Sequence, residues 1–145
     1  MMSRLASRKS KGFTLIEMLI VIVVIAILAL IVIPRLLGAG RKAKEASLKG
    51  DLHQLRNSIQ QFEADCGDYP AALDDLMTKP TDTAGGTGLD LDLTAWQGPY
   101  LRTADGAIPV DPFTGASDWT YDAATGEVHS AATLAALDGT NYTDW

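Results

Sequence analysis

The chain has 145 residues, and its formal charge of −6 conceals two oppositely charged segments. Residues 1–50 carry nine basic and two acidic side chains, whereas residues 51–145 carry three basic and 16 acidic ones. The length allows one modest domain with one appendage and excludes a large multidomain enzyme. The acidic segment argues against nucleic-acid binding by that domain, because phosphate contacts require clustered lysine and arginine.

The composition offers little for catalysis or cross-linking. A single cysteine, Cys66, excludes an intrachain disulfide framework and a cysteine-rich zinc site. His53 and His129 are the only histidines, and we interpret His53 as an ordinary surface residue. The chain contains no His-Glu-x-x-His, Gly-x-Ser-x-Gly or phosphate-loop motif. We therefore expect a protein without intrinsic enzymatic activity.

The N-terminal segment indicates a membrane span. Residues 1–12 carry four basic side chains and no acid, and in residues 13–33 only Thr14 and Glu17 are not apolar. Such a run of 21 helical residues is roughly 31 Å long at about 1.5 Å per residue, which matches a bilayer core. The leading charges favour a cytoplasmic N-terminus, although four more basic residues follow within residues 35–44 and weaken that argument. A secretory signal peptide and a simple signal anchor are the alternatives.

Glu17 is the most informative residue of this segment. A carboxylate within a membrane costs several kcal/mol unless it is neutralised or paired, so it indicates a function. In one interpretation Glu17 lies near the interface and reaches water. In the other, cleavage after Gly12 gives Phe13 a free α-amine one helical turn away, and amine and carboxylate neutralise each other within or between subunits.

The stretch KGFTLIEMLIVIVVIAILALIVIP, residues 11–34, closely resembles the leader and N-terminal helix of type IV pilins and of the pseudopilins of type II secretion. In that family a membrane aspartyl peptidase cuts after the glycine and methylates the new N-terminal phenylalanine. The resemblance implies a cut between Gly12 and Phe13 and N-methylation of Phe13. It also implies that Glu17 pairs with the Phe13 amine of an adjacent subunit during assembly.

The helix is predicted to continue beyond the apolar run. Pro34, Gly38 and Gly40 weaken it, and the helix could end there. An apolar stripe with spacings of 4, 3, 4, 3 and 4 residues argues instead for one helix from residue 13 to about residue 64, with a soft point at residues 34–40. The resemblance likewise implies a long helix that can stretch or melt near Pro34 in filaments. A coiled coil is the alternative, but the stripe covers fewer than three heptads. The stripe consists of Leu48, Leu52, Leu55, Ile59, Phe62 and Cys66.

The remaining residues predict a small α+β head in which the long helix packs on an antiparallel sheet. Gly67 and Pro70 end the long helix, and Cys66 on its apolar stripe is expected to be a buried structural thiol. Helical spacing predicts a short second helix at residues 71–79, followed by a loop at residues 81–95. Alternating residues predict a hairpin of residues 118–122 and 127–130.

Several head segments resemble the G-type major pseudopilins. They are YP at 69–70, WQGPYL at 96–101 and PVDPF at 109–113, although the family commonly has Asp-Pro-Trp-Gly where this chain has DPFTG at 111–115. Those pseudopilins bind calcium in a C-terminal loop through two aspartates and backbone or hydroxyl oxygens. The resemblance implies a Ca²⁺ site at Asp138 and Asp144, in an oxygen-rich tail of the kind that Ca²⁺ prefers. The alternative is a solvated acidic tail, as we expect for the other acids, including Asp74, Asp75, Asp90 and Asp92.

The sequence therefore predicts four segments: a leader (1–12), a hydrophobic assembly helix (13–34), its amphipathic continuation (35–66) and a head (67–145). The resemblance implies a filament subunit, most specifically the major pseudopilin of a type II secretion system, anchored once in the inner membrane with a periplasmic head. Expected partners are further copies of the chain, the prepilin peptidase and methyltransferase, an inner-membrane assembly platform, minor pseudopilins, and lipid before assembly. A type IV pilin and a non-polymerising, membrane-anchored binding module are the alternatives.

Overall fold

The computed structural model describes residues 12–145, apart from the side chains of residues 34–37. The described chain forms two compact units, one that ends at Gly40 and one that comprises Arg41–Trp145, called the head unit below. The predicted leader, residues 1–12, lies outside the described residues except for Gly12.

One long helix, α1, dominates the chain and spans Leu15–Cys66. It begins two residues later and ends two residues later than the pattern predicted. The backbone stays helical through Pro34, Gly38 and Gly40, so the predicted continuation beyond the apolar run is confirmed. The helix ends at Gly67, which adopts a φ of +87° that L side chains rarely tolerate.

The first unit exposes its apolar side chains. Between Phe13 and Ile33 the large apolar residues are 45 to 85% exposed. Within the described residues, α1 is the one helix that is long and apolar enough to cross a membrane. An apolar surface of this length, unburied within its own chain, must be covered by lipid or by other protein.

The head unit holds the buried core, and the predicted stripe of α1 is its centre. All six stripe residues are at most 2% exposed. They pack with apolar residues from the rest of the head unit, which is why this half of α1 is amphipathic. Those residues are Leu73, Leu76, Leu91, Leu101, Trp119, Val128, Ala132, Ala136 and Tyr142.

The head sheet has two short antiparallel strands, β1 (Thr120–Asp122) and β2 (Glu127–His129). Tyr121 pairs with Val128 at the middle of the register. The predicted hairpin is confirmed, but its strands are shorter than expected. Asp118 accepts a hydrogen bond from the Thr114 hydroxyl and Ser130 donates to Asp111, so side-chain contacts with the preceding loop replace strand pairing at the open end of the hairpin.

The predicted second helix at residues 71–79 is wrong in type and length, because the chain forms one 3-10 turn at Leu73–Leu76. The Asp75 carboxylate accepts a hydrogen bond from the Ala72 amide, and the Asp74 carbonyl accepts bonds from the Met77 and Thr78 amides. Pro80 prevents a helix from continuing beyond residue 79, but the turn ends three residues earlier. Leu73 and Leu76 are nevertheless buried, as their spacing predicted. A second 3-10 turn covers Tyr142–Asp144.

Candidate functional site

The start of α1 is a capping box formed by Thr14 and Glu17. The Thr14 amide and hydroxyl each donate to Glu17 Oε2 at 2.8 Å, and the Glu17 amide donates to Thr14 Oγ1 at 3.3 Å. These reciprocal bonds satisfy helix N–H groups that otherwise lack partners. Glu17 therefore has a local structural contact, and its assembly role stays a prediction. The role of Thr14 was not predicted, although Thr-x-x-Glu before an apolar run is the recognised signal for this cap.

The predicted cleavage point lies just outside the helix. Gly12, Phe13 and Thr14 are non-helical and exposed, and Phe13 is 78% exposed. A peptidase must reach both sides of the bond it cuts, and helical hydrogen bonding would hinder that. The bond between Gly12 and Phe13 therefore lies outside the hydrogen bonding of α1, and the capping box fixes where the helix starts behind it.

Within the head unit, Glu45 ties the C-terminal segment to α1. Its Oε1 accepts hydrogen bonds at 2.8 Å from the Tyr142 hydroxyl and from the Leu137 amide. Arg41 lies one turn earlier, 3.9 Å from the same oxygen, and donates to the Ala135 carbonyl. Glu45 is mostly buried, so these bonds lie in surroundings where hydrogen bonds to a charge are strong.

Asp68 is a buried carboxylate that organises the loop at residues 81–95. It is 3% exposed and accepts hydrogen bonds from the Tyr69, Thr87 and Leu89 amides and from the Thr87 hydroxyl. Burial works against its charged form, but these bonds outweigh burial and lower the pKa of Asp68. Gly85 passes so close that a Cβ there would lie 2.2 Å from Asp68 Oδ2. The loop therefore wraps the charge and excludes water from it.

A second buried carboxylate, Asp111, joins the segment before β1 to the segment after β2. Its Oδ1 accepts from the Phe113 amide at 2.7 Å, and its Oδ2 accepts from the Ser130 hydroxyl. The burial of Asp68 and Asp111 was not predicted. The signal for Asp111 was its position directly before a proline, where an aspartate commonly caps a turn.

The predicted Ca²⁺ residues lie in and after a tight turn. Asp138 Oδ1 accepts from the Thr140 amide at 3.0 Å and hydroxyl at 2.7 Å, and these bonds lower the pKa of Asp138. Asp144 accepts from the Asn141 side chain at 3.3 Å and from the Thr143 hydroxyl at 3.4 Å. Both acids are exposed.

This oxygen-only donor set fits Ca²⁺ in its chemistry. In the part of the chain that the structure describes, no three or more His, Cys, Asp or Glu side chains gather in a way that could hold a metal. A bound calcium ion would therefore take most of its ligands from backbone, hydroxyl and water oxygens.

Cys66 is buried, as predicted. It is 1% exposed at the end of the apolar stripe, and burial raises the pKa of its thiol. Its Sγ lies 4.0 Å from the Tyr100 hydroxyl, which donates to Asp65 at 2.9 Å. Burial likewise raises the pKa of Tyr100 to about 12. A neutral, buried thiol is a poor nucleophile. His53 is exposed, as expected for a surface histidine.

Comparisons with known proteins match nearly the whole chain. The prokaryotic N-terminal methylation motif matches residues 7–33, and the family described as Type II secretion system, protein G, matches residues 35–138. No solved structure matches the chain.

Three of the curated relatives are each named type II secretion system core protein G. The Aeromonas hydrophila protein is 34% identical over 109 residues, which cover 68% of this chain and 76% of the relative. The Pseudomonas aeruginosa protein is 31% identical over 109 residues, covering 68% and 77%. The Vibrio cholerae protein is 40% identical over 77 residues, covering 51% and 53%. The chain thus spans from about half to about three quarters of these relatives.

Proposed function

Because the chain belongs to the type II secretion system protein G family, we propose that it is the major pseudopilin of such a system. The match over residues 35–138 carries this proposal, and the methylation motif over residues 7–33 adds the processing signal. The curated relatives are named for type II secretion, so a type IV pilus is not favoured. A subunit of this kind acts by polymerising, and filament growth from the inner membrane pushes folded proteins through an outer-membrane channel.

Processing is the first step of the proposed mechanism. A prepilin peptidase cuts between Gly12 and Phe13 and methylates the new amine. The exposed, non-helical backbone at these residues supports this step. The cut also removes four of the nine basic residues of the first 50, so the mature segment keeps a smaller positive charge.

Assembly is the second step. The exposed apolar surface of α1 between Phe13 and Ile33 leaves lipid and packs against the same surface of other copies. Glu17 pairs with the methylated Phe13 amine of a neighbour, which neutralises both charges in the filament core. The present contacts of Glu17 with Thr14 are compatible with this pairing, because a carboxylate has about four lone-pair sites. The backbone near Pro34 is the point at which α1 stretches or melts.

The head supplies the outer surface of the filament, and we propose that Ca²⁺ stabilises its C-terminal turn through Asp138 and Asp144. The oxygen-rich donor set supports this. Other expected partners are the inner-membrane assembly platform and the minor pseudopilins. Before assembly the chain spans the inner membrane once, with its N-terminus cytoplasmic and its head periplasmic.

Deleting the gene in its own host tests the function. We expect exported proteins to disappear from the medium and to accumulate, folded, in the periplasm. Complementation with the wild-type gene should restore export. A cytoplasmic and a periplasmic marker must remain inside the cells as controls for lysis. Unchanged export together with loss of surface pili would refute the secretion function and establish the pilus alternative.

A further inference from the structure

One face of the head unit concentrates positive charge around an aromatic ring. An open groove of about 300 Å³ is lined by Lys49, Leu52, His53, Arg56 and Trp145, and is called the Trp145 groove below. Leu52 and Trp145 supply apolar surface, and the other three supply cationic or ionisable groups. These three recur on α1 at spacings of four and three residues, so they lie along one helix face.

The charges of the groove are held in place rather than mobile. Lys49 Nζ lies 4.1 Å from the centroid of the Trp145 ring, within the range of a cation–π interaction. Arg56 Nη2 donates to the Val128 carbonyl at 2.8 Å and to the Trp145 carbonyl. Among the described residues, no carboxylate forms a salt bridge with Lys49, His53 or Arg56. The groove thus holds its cationic side chains in a preorganised arrangement, with Asp138 of the same chain near Lys49.

A second copy of the chain has the complementary charge. The head unit carries seven basic and 17 acidic side chains, a net charge of −10, so basic clusters are rare on its surface. Two copies meeting groove to groove would oppose like charges. A contact between the groove and an acidic surface of the next copy is heterologous, and heterologous contacts that do not close into a ring generate helical filaments. The charge distribution therefore favours the geometry that a polymer requires.

The tip of the loop at residues 81–95 has the matching surface chemistry. Leu89 is 63% exposed, and the exposed acids Asp90 and Asp92 follow it closely in the chain. Three backbone contacts make the tip rigid. The Leu89 amide donates a hydrogen bond to buried Asp68, and Asp90 forms an isolated antiparallel β-bridge with Ala84. The Asp92 amide donates to the Cys66 carbonyl at 2.9 Å. An exposed leucine beside carboxylates complements a groove of indole, leucine and cations.

We propose that the Leu89–Asp90 tip of one subunit docks into the Trp145 groove of another subunit, farther along the filament than the copy whose Phe13 amine pairs with Glu17. The tip is anchored at Cys66, which lies 10 residues beyond Arg56 and 17 beyond Lys49 on α1. At about 1.5 Å per residue, groove and tip are offset by roughly 15–26 Å along the helix axis. Two parallel copies that are shifted axially by about this distance bring the tip level with the groove.

Disulfide cross-linking in assembled filaments tests the docking, which rests on the proposed function. The full chain is expressed with its assembly machinery as His53→Cys, as Asp90→Cys and as the double variant. The native Cys66 is buried and stays in place, and the single variants control for it. Mild oxidation should yield dimers and higher multiples from the double variant alone. His53→Cys combined with Asp105→Cys, another exposed loop acid, is the matched control and should stay monomeric.

Charge exchange gives a second, independent measurement. Lys49→Glu should lower filament yield about two- to fivefold, as expected for losing an exposed ion pair at each contact. Adding Asp90→Lys should recover most of the loss, whereas adding Asp105→Lys should not.

Three results would overturn the docking. The first is normal filaments in which the His53→Cys/Asp90→Cys variant forms no cross-linked multimers. The second is as many multimers from the His53→Cys/Asp105→Cys control as from that variant. The third is equal recovery of filament yield by Asp90→Lys and Asp105→Lys. If the wild-type chain forms no filament at all, the proposed function itself fails, and the docking fails with it.

Discussion

Removing the Asp68 carboxylate should destabilise the head more than removing any exposed acid. In the folded chain this carboxylate accepts hydrogen bonds from the amides of Tyr69 at 2.8 Å, Thr87 at 3.1 Å and Leu89 at 3.3 Å. The Thr87 hydroxyl adds a fourth bond at 2.8 Å. Asp68→Ala leaves three backbone donors without their acceptor, and the loop at residues 81–95 loses the contacts that hold it against the end of α1.

The magnitude follows from how far water can replace the carboxylate. An unsatisfied buried donor costs about 1–3 kcal/mol, and the lower value applies here because Thr87 and Leu89 are exposed and can rehydrate. Three amides therefore give a loss of about 3 kcal/mol in the free energy of unfolding. For a head unit of this size, about 1 kcal/mol corresponds to a change of about 4 °C in Tm, so we expect Tm to fall by about 12 °C. Asp68→Asn keeps one acceptor oxygen and should lose about half as much.

Urea and thermal unfolding of Arg41–Trp145 provide the assay, because this unit contains the whole buried core of the described residues. Asp74→Ala is the matched control: Asp74 is exposed, and its removal should change stability by less than about 0.5 kcal/mol. Equal Tm values for wild type and Asp68→Ala would refute the reasoning. So would equal losses in Asp68→Ala and Asp74→Ala, since the effect would then be one of net charge.

The same carboxylate gives the stability a defined pH dependence. Because its hydrogen bonds lower the pKa of Asp68 in the folded chain, its contribution is fully present above the unfolded value of about 3.9. That contribution is lost as the pH falls through the lower, folded value. The difference in stability between wild type and Asp68→Ala should therefore be constant near neutral pH and shrink below about pH 4.

Three further predictions concern the proposed function. Mass spectrometry of the mature chain should find methylated Phe13 at its N-terminus, and any other N-terminus would contradict the proposed processing. Glu17→Gln preserves the capping box with Thr14 but removes the charge. The variant should therefore stay membrane-bound and still lower filament yield as strongly as Glu17→Ala. A wild-type yield from the Gln variant would show that only the cap matters. Chelation of Ca²⁺ should lower the Tm of the head unit, Asp138→Ala should abolish that response, and an unchanged Tm on chelation would remove the metal proposal.

Local patterns predicted the parts of the fold that local forces determine. The stripe from Leu48 to Cys66 correctly predicted the buried face of α1, because helical periodicity alone places those residues on one side. Gly67 correctly predicted the end of the helix, because the backbone there adopts a positive φ that favours glycine. The type of turn at Leu73–Leu76 was missed. Its spacing suits a longer helix equally well, and only the cap from Asp75 and the tertiary contacts select a single 3-10 turn.

The organising carboxylates could not be predicted in the same way. Asp68 and Thr87 are 19 residues apart, and their contact exists only after the loop folds back over the helix end. Sequence composition describes both as polar residues of a loop. The Thr14–Glu17 cap is different, since its four-residue signal is present in the sequence and local spacing alone is enough to predict it.

The buried charge and the proposed contact between subunits are physically connected. Asp68 fixes Leu89 through its amide, and Leu89 is the apolar part of the tip that we propose to dock into the Trp145 groove. Docking a mobile loop would require it to be ordered at each contact, at a cost of about 1–2 kcal/mol for every residue fixed. Asp68 makes that ordering part of the folding of the head, before assembly begins. The groove is prepared similarly, because Arg56 and Lys49 are already held against Trp145. The Trp145 groove and the Leu89–Asp90 tip are both rigid, carry opposite charges and lie at different positions along the axis of α1. This arrangement favours the addition of each subunit in a single register.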